Sequence, residues 1–426
     1  MTVDWRRLKA VVLESDDWGL CAWVPDLEAH HALAGTPAFR SRAGRRYGRS
    51  TLERADDVTQ LVAVLLEFHG RDGMAPVWQA NTVMGSPDYA RLAPPFACDR
   101  LPLLRDPEYP SRWQRPGLRD AVEHGRDAGV WWPELHGLVH LPERAWLMAL
   151  RAGVPDAVTA HTHQCFVCAA VEGAAEYDPS EPVEVRSRAI AQAVAWFHDR
   201  FGRAPLSLVA PDYRWDERLE RDAGALGLTT FQGRAEQAGR RFGHLRHTLA
   251  RRRWQRRERG ANPAHFDLPA RIAFEPCGAG SPGSRLGPAA AHRAVRAAWA
   301  QDQPAIVSSH RLNYAHLDPA WSAAGRRALA DLLRLLSRDG AVFLTDAEVR
   351  SLDEHGWSLR PLGPLAALLR CHGPARSRLT IPAPAGAAGG QARERVSGRS
   401  VPLALEPGGA AGDFEPGDYQ VEWTLA

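Results

Sequence analysis

KAVVLESDDWG, residues 9–19, decides how this chain is read. An apolar run of this length is a buried strand, and it ends in two adjacent carboxylates, Asp16 and Asp17. Burying one carboxylate without a partner is costly, and two neighbours also repel each other. A metal ion, a shared proton or a helix N-terminus could each explain the pair. Aspartate is a preferred N-cap, so a helix starting near Trp18 remains open on this stretch alone.

Similar runs recur along the chain. APVWQANTVM (75–84), VWWPELHG (130–137), LSLVAPDY (206–213), LTTFQG (228–233), LPARIAFEP (268–276), PAIVSSH (304–310) and AVFLTD (341–346) read as strands. Helix-like segments lie between many of them, including RADDVTQLVAVLLEFHG (54–70), RSRAIAQAVAWFHDRFG (186–202) and AGRRALADLLRLLSRDG (324–340). The last two end in glycine, a common helix stop. Strand–helix alternation over this distance predicts an α/β fold with a parallel sheet or (β/α) barrel spanning 1–355. Residues 356–426 read as a Pro/Gly-rich linker, IPAPAGAAGGQARERVSGRS (381–400), and a small β-rich appendage with VPLALEP and DYQVEWTLA as strands.

The bulk numbers agree with a large globular chain. Of 426 residues, 45% are hydrophobic and 24% charged, enough for a sizeable core. A net charge of +3 gives no footprint for nucleic acid. No run is apolar enough to span a bilayer, and the N-terminus lacks a signal-peptide core, so a cytoplasmic location is expected. The six scattered cysteines are then expected as thiols.

In parallel α/β folds ligands sit at the carboxyl ends of strands. Asp16-Asp17, His136 with His140, Asp212-Tyr213-Arg214, and His310 all fall at such ends. In ELHGLVH (134–140) the two histidines share a face if the stretch turns helical. Imidazole plus carboxylate suits zinc and similar divalent metals. Taken alone, the histidines could be satisfied polar residues and His310 a buried hydrogen-bonded one. Together they suggest that one aspartate holds a metal while its neighbour takes a proton from water.

ESDDWG, ELHGLVH, VAPDY (209–213) and IVSSH (306–310) resemble, in order, four motifs of the polysaccharide deacetylases (carbohydrate esterase family 4, the chitin deacetylase-like group). The resemblance spans about residues 10 to 350 and implies that family's distorted (β/α) barrel. It implies one divalent metal, of zinc type, on Asp17, His136 and His140. It gives Asp16 as the base, His310 as the acid for the leaving amine, and the Tyr213 backbone N–H as an oxyanion donor. Trp18, Tyr213, Arg214 and Glu275 are expected to contact substrate. The implied reaction removes an acetyl group from an N-acetylated sugar or glycan precursor.

The chain departs from the family pattern in several places. Ala210 replaces the motif-three arginine that positions the catalytic aspartate, with Arg214 and Arg271 as candidate substitutes. Glu14-Ser15 replaces the usual Thr-Phe, Arg311 follows His310, and Glu275 takes the space of the aspartate-tryptophan motif. Two other functions compete. One is a metal-free glycoside hydrolase pairing Asp16 or Asp17 with Glu275. The other is a carbohydrate-binding protein without turnover.

Two further stretches carry chemistry-like patterns. AHTHQCFVC brings His161, His163, Cys165 and Cys168 together, but the crowded spacing argues against a zinc knot. RRFGHLRHTLARRRWQRRERG (240–260) has nine arginines against one glutamate. It reads as a solvated segment, with a basic lid for an anionic substrate as the functional alternative.

Overall fold

The computed structural model describes residues 3–172, 175–233, 254, 265–277, 286–373 and 375–425. Apart from Trp254, the arginine-rich stretch lies outside the described residues. The opening run forms strand β1 (Ala10–Trp18), and all nine of its residues are buried. Burial on both faces is what an almost continuous apolar run in a parallel sheet requires.

In chain order the other parallel strands are β2 (Trp78–Thr82), β3 (Trp131–Leu135), β4 (Ser207–Leu208), β5 (Thr230–Phe231), β6 (Phe266–Asp267), β7 (Ile272–Ala273), β8 (Ala305–His310) and β9 (Val342–Leu344). They form one curled sheet in the order β6-β5-β4-β3-β2-β1-β8-β7, with β9 added to the start of β1. Among the described residues β6 and β7 do not pair, so the curl stays open there. Each sequence-derived strand appears; β6, only two residues long, was not expected.

Helices cover the outside of the curl. The helix Ala55–Leu66 buries Val58, Leu61, Val62 and Leu65, one apolar stripe at helical spacing. The helix Val183–Phe201 ends at Gly202, whose left-handed φ of 71° lets its N–H reach the His198 carbonyl. Inside the curl the alternation of strand side chains brings polar groups together. Asn81 donates to Asp16 and to Gln232 (both 2.8 Å), Gln232 to Ser207 (3.0 Å), and Ser207 and Gln79 to Asp346 (2.8 and 2.7 Å). Buried polar groups are tolerated when they are hydrogen-bonded, and each of these side chains has at least one such partner.

The C-terminal region is a seven-stranded antiparallel sheet: β10 (Trp357–Gly363), β11 (Ala366–Cys371), β12 (Ser377–Ile381), β13 (Ala387–Glu394), β14 (Ser400–Glu406), β15 (Gly409–Phe414) and β16 (Gly417–Leu425). The expected Pro/Gly-rich linker, 381–400, contains β13, which is paired to β14 and β16. Its glycines make room for a ring: a Cβ on Gly390 would lie 2.8 Å from Trp423. Among the described residues no helix is long and apolar enough to cross a membrane, and all six cysteines are free.

Candidate metal centre and active site

A strand sends successive side chains to opposite faces, so Asp16 and Asp17 should diverge. The backbone prevents this. The β1–β2 register shifts between Ser15 and Trp18, and Asp17 takes a left-handed φ of 75°. Aspartate is among the few side chains that tolerate this conformation. Both carboxylates consequently line one cavity of about 420 Å³ with His136, His140, Tyr213, Arg214 and His310. The same turn carries Trp18 away. It is 1% exposed, stands edge-on to Trp131 at 4.6 Å and lines a separate cavity, so the expected substrate contact is corrected to a core residue.

Asp17, His136 and His140 converge. One ligand atom from each lies within 4.8 Å of the others. Asp17 Oδ1 is 3.4 Å from His136 Nε2 and 3.9 Å from His140 Nε2. Two zinc ligands at tetrahedral geometry lie about 3.4 Å apart, so this set fits a small divalent metal. His136 Nδ1 donates to the Val209 carbonyl at 2.9 Å, which turns the Nε2 lone pair towards the centre. Burial opposes a charge on Asp17, but His136, His310 and His140 hold its carboxyl well below the usual range.

The stretch between the two histidines is not helical, contrary to the sequence expectation. It winds round a buried carboxylate instead. Glu176 accepts backbone N–H groups from Leu138 (3.0 Å), Val139 (3.3 Å) and His140 (3.0 Å). Gly137, with φ 98°, must be glycine here, since a Cβ would sit 2.4 Å from the Glu176 carboxylate. Burial pushes the Glu176 carboxyl up to about 7 against these donors.

Asp16 lies opposite His310 in the β1–β8 register. Arg271 grips it from the far side with two guanidinium nitrogens, each 2.8 Å from a carboxylate oxygen. Burial works against the Asp16 charge, yet Arg271, with His136 and His310, holds the pKa well below the usual carboxylate range. Of the two candidate arginines, Arg271 thus holds Asp16, while Arg214 is paired with Asp178 at 2.8 Å. The Arg271 guanidinium also pairs with Glu14, giving that buried carboxylate a partner.

His310 Nδ1 is hydrogen-bonded to Glu275, which also takes Arg46 (2.8 Å) and Asn313 (2.7 Å). Glu275 is 5% exposed and stands behind His310, so its expected substrate contact is corrected to a partnership with the imidazole. Burial disfavours the imidazolium, but Glu275, Asp17 and Asp16 raise the His310 pKa to about 9. Glu275 itself is driven below its usual range, chiefly by His310 against burial.

Tyr213 lines the cavity and its hydroxyl accepts from Arg271 at 2.9 Å. Its backbone N–H donates to the Ala210 carbonyl at 2.9 Å, so the expected oxyanion donor is already engaged in a 3-10 turn. Four of the eight non-glycine residues with positive φ among those described, Asp17, His140, Asp212 and Tyr213, line this one cavity. Strained backbone gathered at a concave polar site is a mark of function. The second His/Cys cluster does not converge: His161 packs among Tyr89, Phe96 and Trp146, and Cys165 and Cys168 are buried thiols.

Asn81 and Glu176 were missed by the sequence reading. Asn81 had a signal, being polar inside an apolar strand; Glu176 sits in a loop with no periodicity and had none. No family model and no curated protein matches the chain. Among solved structures it is similar to a candidate polysaccharide deacetylase from Mycobacterium smegmatis, with 12% identity and a TM-score of 0.41 over 81% of this chain and 89% of that one. It is also similar to a mutant CE4 family pseudoenzyme with restored enzymatic activity, with 10% identity and a TM-score of 0.33 over 80% and 67%. Thermotoga maritima alpha-fucosidase gives 11% identity and a TM-score of 0.37 over 100% and 97%. At such TM-scores these likenesses assign neither a family nor an activity.

Proposed function

We propose that the protein is a metal-dependent hydrolase that removes an acetyl or similar acyl group from an N-acylated sugar, on a barrel of the polysaccharide deacetylase type. The observation that carries this reading is the pairing of functions within Asp16-Asp17: one carboxylate in a His-His-Asp metal set, the other held ionised by Arg271. A bound divalent ion, zinc on the donor set, would supply Lewis-acid polarisation of the acyl carbonyl and lower the pKa of water. Asp17, His136 and His140 would hold that ion. Asp16, charged at neutral pH, accepts the proton of the attacking water. His310, protonated below pH about 9, returns a proton to the departing amine nitrogen. Glu275 holds the imidazolium in place throughout.

The same charges disfavour the carboxylate-pair glycosidase. That reaction needs one protonated carboxylic acid, its pKa raised by its surroundings. Asp16, Asp17 and Glu275 are all pushed the other way. The Arg271 contact with Asp16 supports turnover over the binding-protein alternative that Ala210 had favoured.

The test is acetate release from N-acetylated sugars, measured beside metal content. Wild type is expected to carry one divalent metal per chain, and His136→Ala/His140→Ala to carry none. Asp16→Asn is expected to keep the metal while losing about 10²- to 10⁴-fold in kcat. Metal-free wild type that releases reducing sugar and no acetate would reverse the reading.

A further inference from the structure

Another concavity, of about 400 Å³, lies behind one wall of the active-site cavity, and its polar lining is mostly basic. The wall is the segment 41–49. Ser41, Ala43 and Tyr47 line the active-site cavity, whereas Arg45, Arg46 and Arg49 line the concavity with His30, His316 and Trp321. Its frame is built from backbone: Ser50 and His316 form an antiparallel bridge, and Leu317 N–H donates to the Arg49 carbonyl at 3.1 Å. Asp318 is the carboxylate in the lining, and it caps the helix Pro319–Arg338 by accepting from Ala320 N–H at 2.9 Å.

The arginines divide into one that is neutralised and two that are not. Arg46 is paired with Glu275. Arg45 and Arg49 have no carboxylate partner among the described residues, yet each is anchored. Arg45 Nη1 donates to the Arg40 carbonyl at 2.6 Å, and Arg49 Nε donates to His30 Nε2 at 3.3 Å. His30 Nδ1 is in turn 2.9 Å from the Gly48 carbonyl, which fixes His30 as the neutral Nδ1–H tautomer. His316 is 7% exposed, stacks on Trp321 at 4.7 Å, and accepts the Asp318 N–H on Nδ1 at 3.0 Å. Its proton therefore sits on Nε2.

We propose that this concavity binds a phosphate-type oxyanion between the Arg45 and Arg49 guanidinium groups and the His316 imidazole. Arg45 and Arg49 line one concavity whose single carboxylate, Asp318, caps a helix, and a bound anion would offset the positive charge that remains. Guanidinium forks and an imidazole N–H match the several oxygens of a phosphate. Burial, with Arg49 and His30 nearby, lowers the His316 pKa to about 4, so a bound anion would draw it back up. The proposal stands whether or not the active-site cavity hydrolyses acyl groups.

The test is calorimetric titration of inorganic phosphate into the full chain at constant ionic strength. Wild type is expected to show one saturable site. Arg45→Gln/Arg49→Gln, both at exposed positions, is expected to bind at least about tenfold more weakly at an unchanged melting temperature. His140→Ala should bind as wild type does. No saturable binding, or equal affinity in wild type and the arginine variant, overturns the proposal; binding lost only in His140→Ala would move the anion to the metal centre and also overturn it. The source of the phosphate is then read from KM. A rise in the arginine variant for a phosphorylated acyl sugar alone means that the substrate carries it, and an unchanged KM means that the site takes a free phosphate.

Discussion

At the scale of single residues, the site works by assigning opposite protonation states to neighbouring groups. Arg271 keeps Asp16 a carboxylate, and Glu275 keeps His310 an imidazolium. Because the folded His310 pKa is raised, the stability of its pairing is fully present below about pH 6.5 and is lost as pH rises through about 9. The acid form needed for leaving-group protonation is lost over the upper part of the same window. The basic limb of the kcat/KM profile is therefore expected near pH 9. In Glu275→Gln the largest raising influence disappears, and the limb should move down towards the ordinary imidazole value while metal content stays the same. A limb that stays at pH 9 in the variant would assign it to another group.

At the scale of elements, the decisive piece is the loop from Gly137 to His140 and the carboxylate it encloses. Glu176→Ala would leave three buried N–H groups without an acceptor, at a cost of about 3 kcal/mol or more. The His140 imidazole would lose its fixed approach to Asp17. Thermal melts and metal analysis should show a lower melting temperature with reduced metal occupancy, whereas Glu176→Gln, which keeps an acceptor oxygen, should retain most of both. This loop also marks the limit of what the sequence made legible. Apolar runs ending in Asp, His and Tyr revealed the strands and the face where the site lies, because burial on both sides of a parallel strand leaves a plain signature. A spacing of four between His136 and His140 suits a helix turn equally with a loop wound round a hidden anion. Nothing in AAEYDPS announces Glu176 as that anion. Trp18 misled for a related reason, since period-two reasoning cannot foresee the left-handed residue before it. Arg271 was visible as a charge within an apolar run, but its partner Asp16, 255 residues away in the sequence, emerges only when the sheet curls.

At the scale of the whole molecule, one buried arginine ties the C-terminal sheet to the barrel. Arg370 on β11 is 0% exposed and meets Asp72 at 2.7 Å, Glu348 at 3.2 Å and Asp418 on β16 at 3.2 Å. Asp72 follows a barrel helix, and Glu348 belongs to the helix Asp346–His355 that leads into β10, so the cluster spans both parts of the fold. Burial raises the Asp418 pKa in principle, but Arg370 and His372 outweigh it and depress the carboxyl well below its ordinary 3.8. With a depressed folded pKa, the contribution of Asp418 is complete above about pH 4 and disappears as pH falls through the folded value. Urea melts from pH 6 down to pH 2.5 should show wild-type stability dropping steeply at the acid end. Asp418→Asn should be less stable than wild type at pH 6 and should lose less on acidification, so that the gap between the two narrows steadily below about pH 4. Parallel curves that stay separated across the whole range would mean that the arginine's hold depends on Asp72 and Glu348, with Asp418 contributing packing alone.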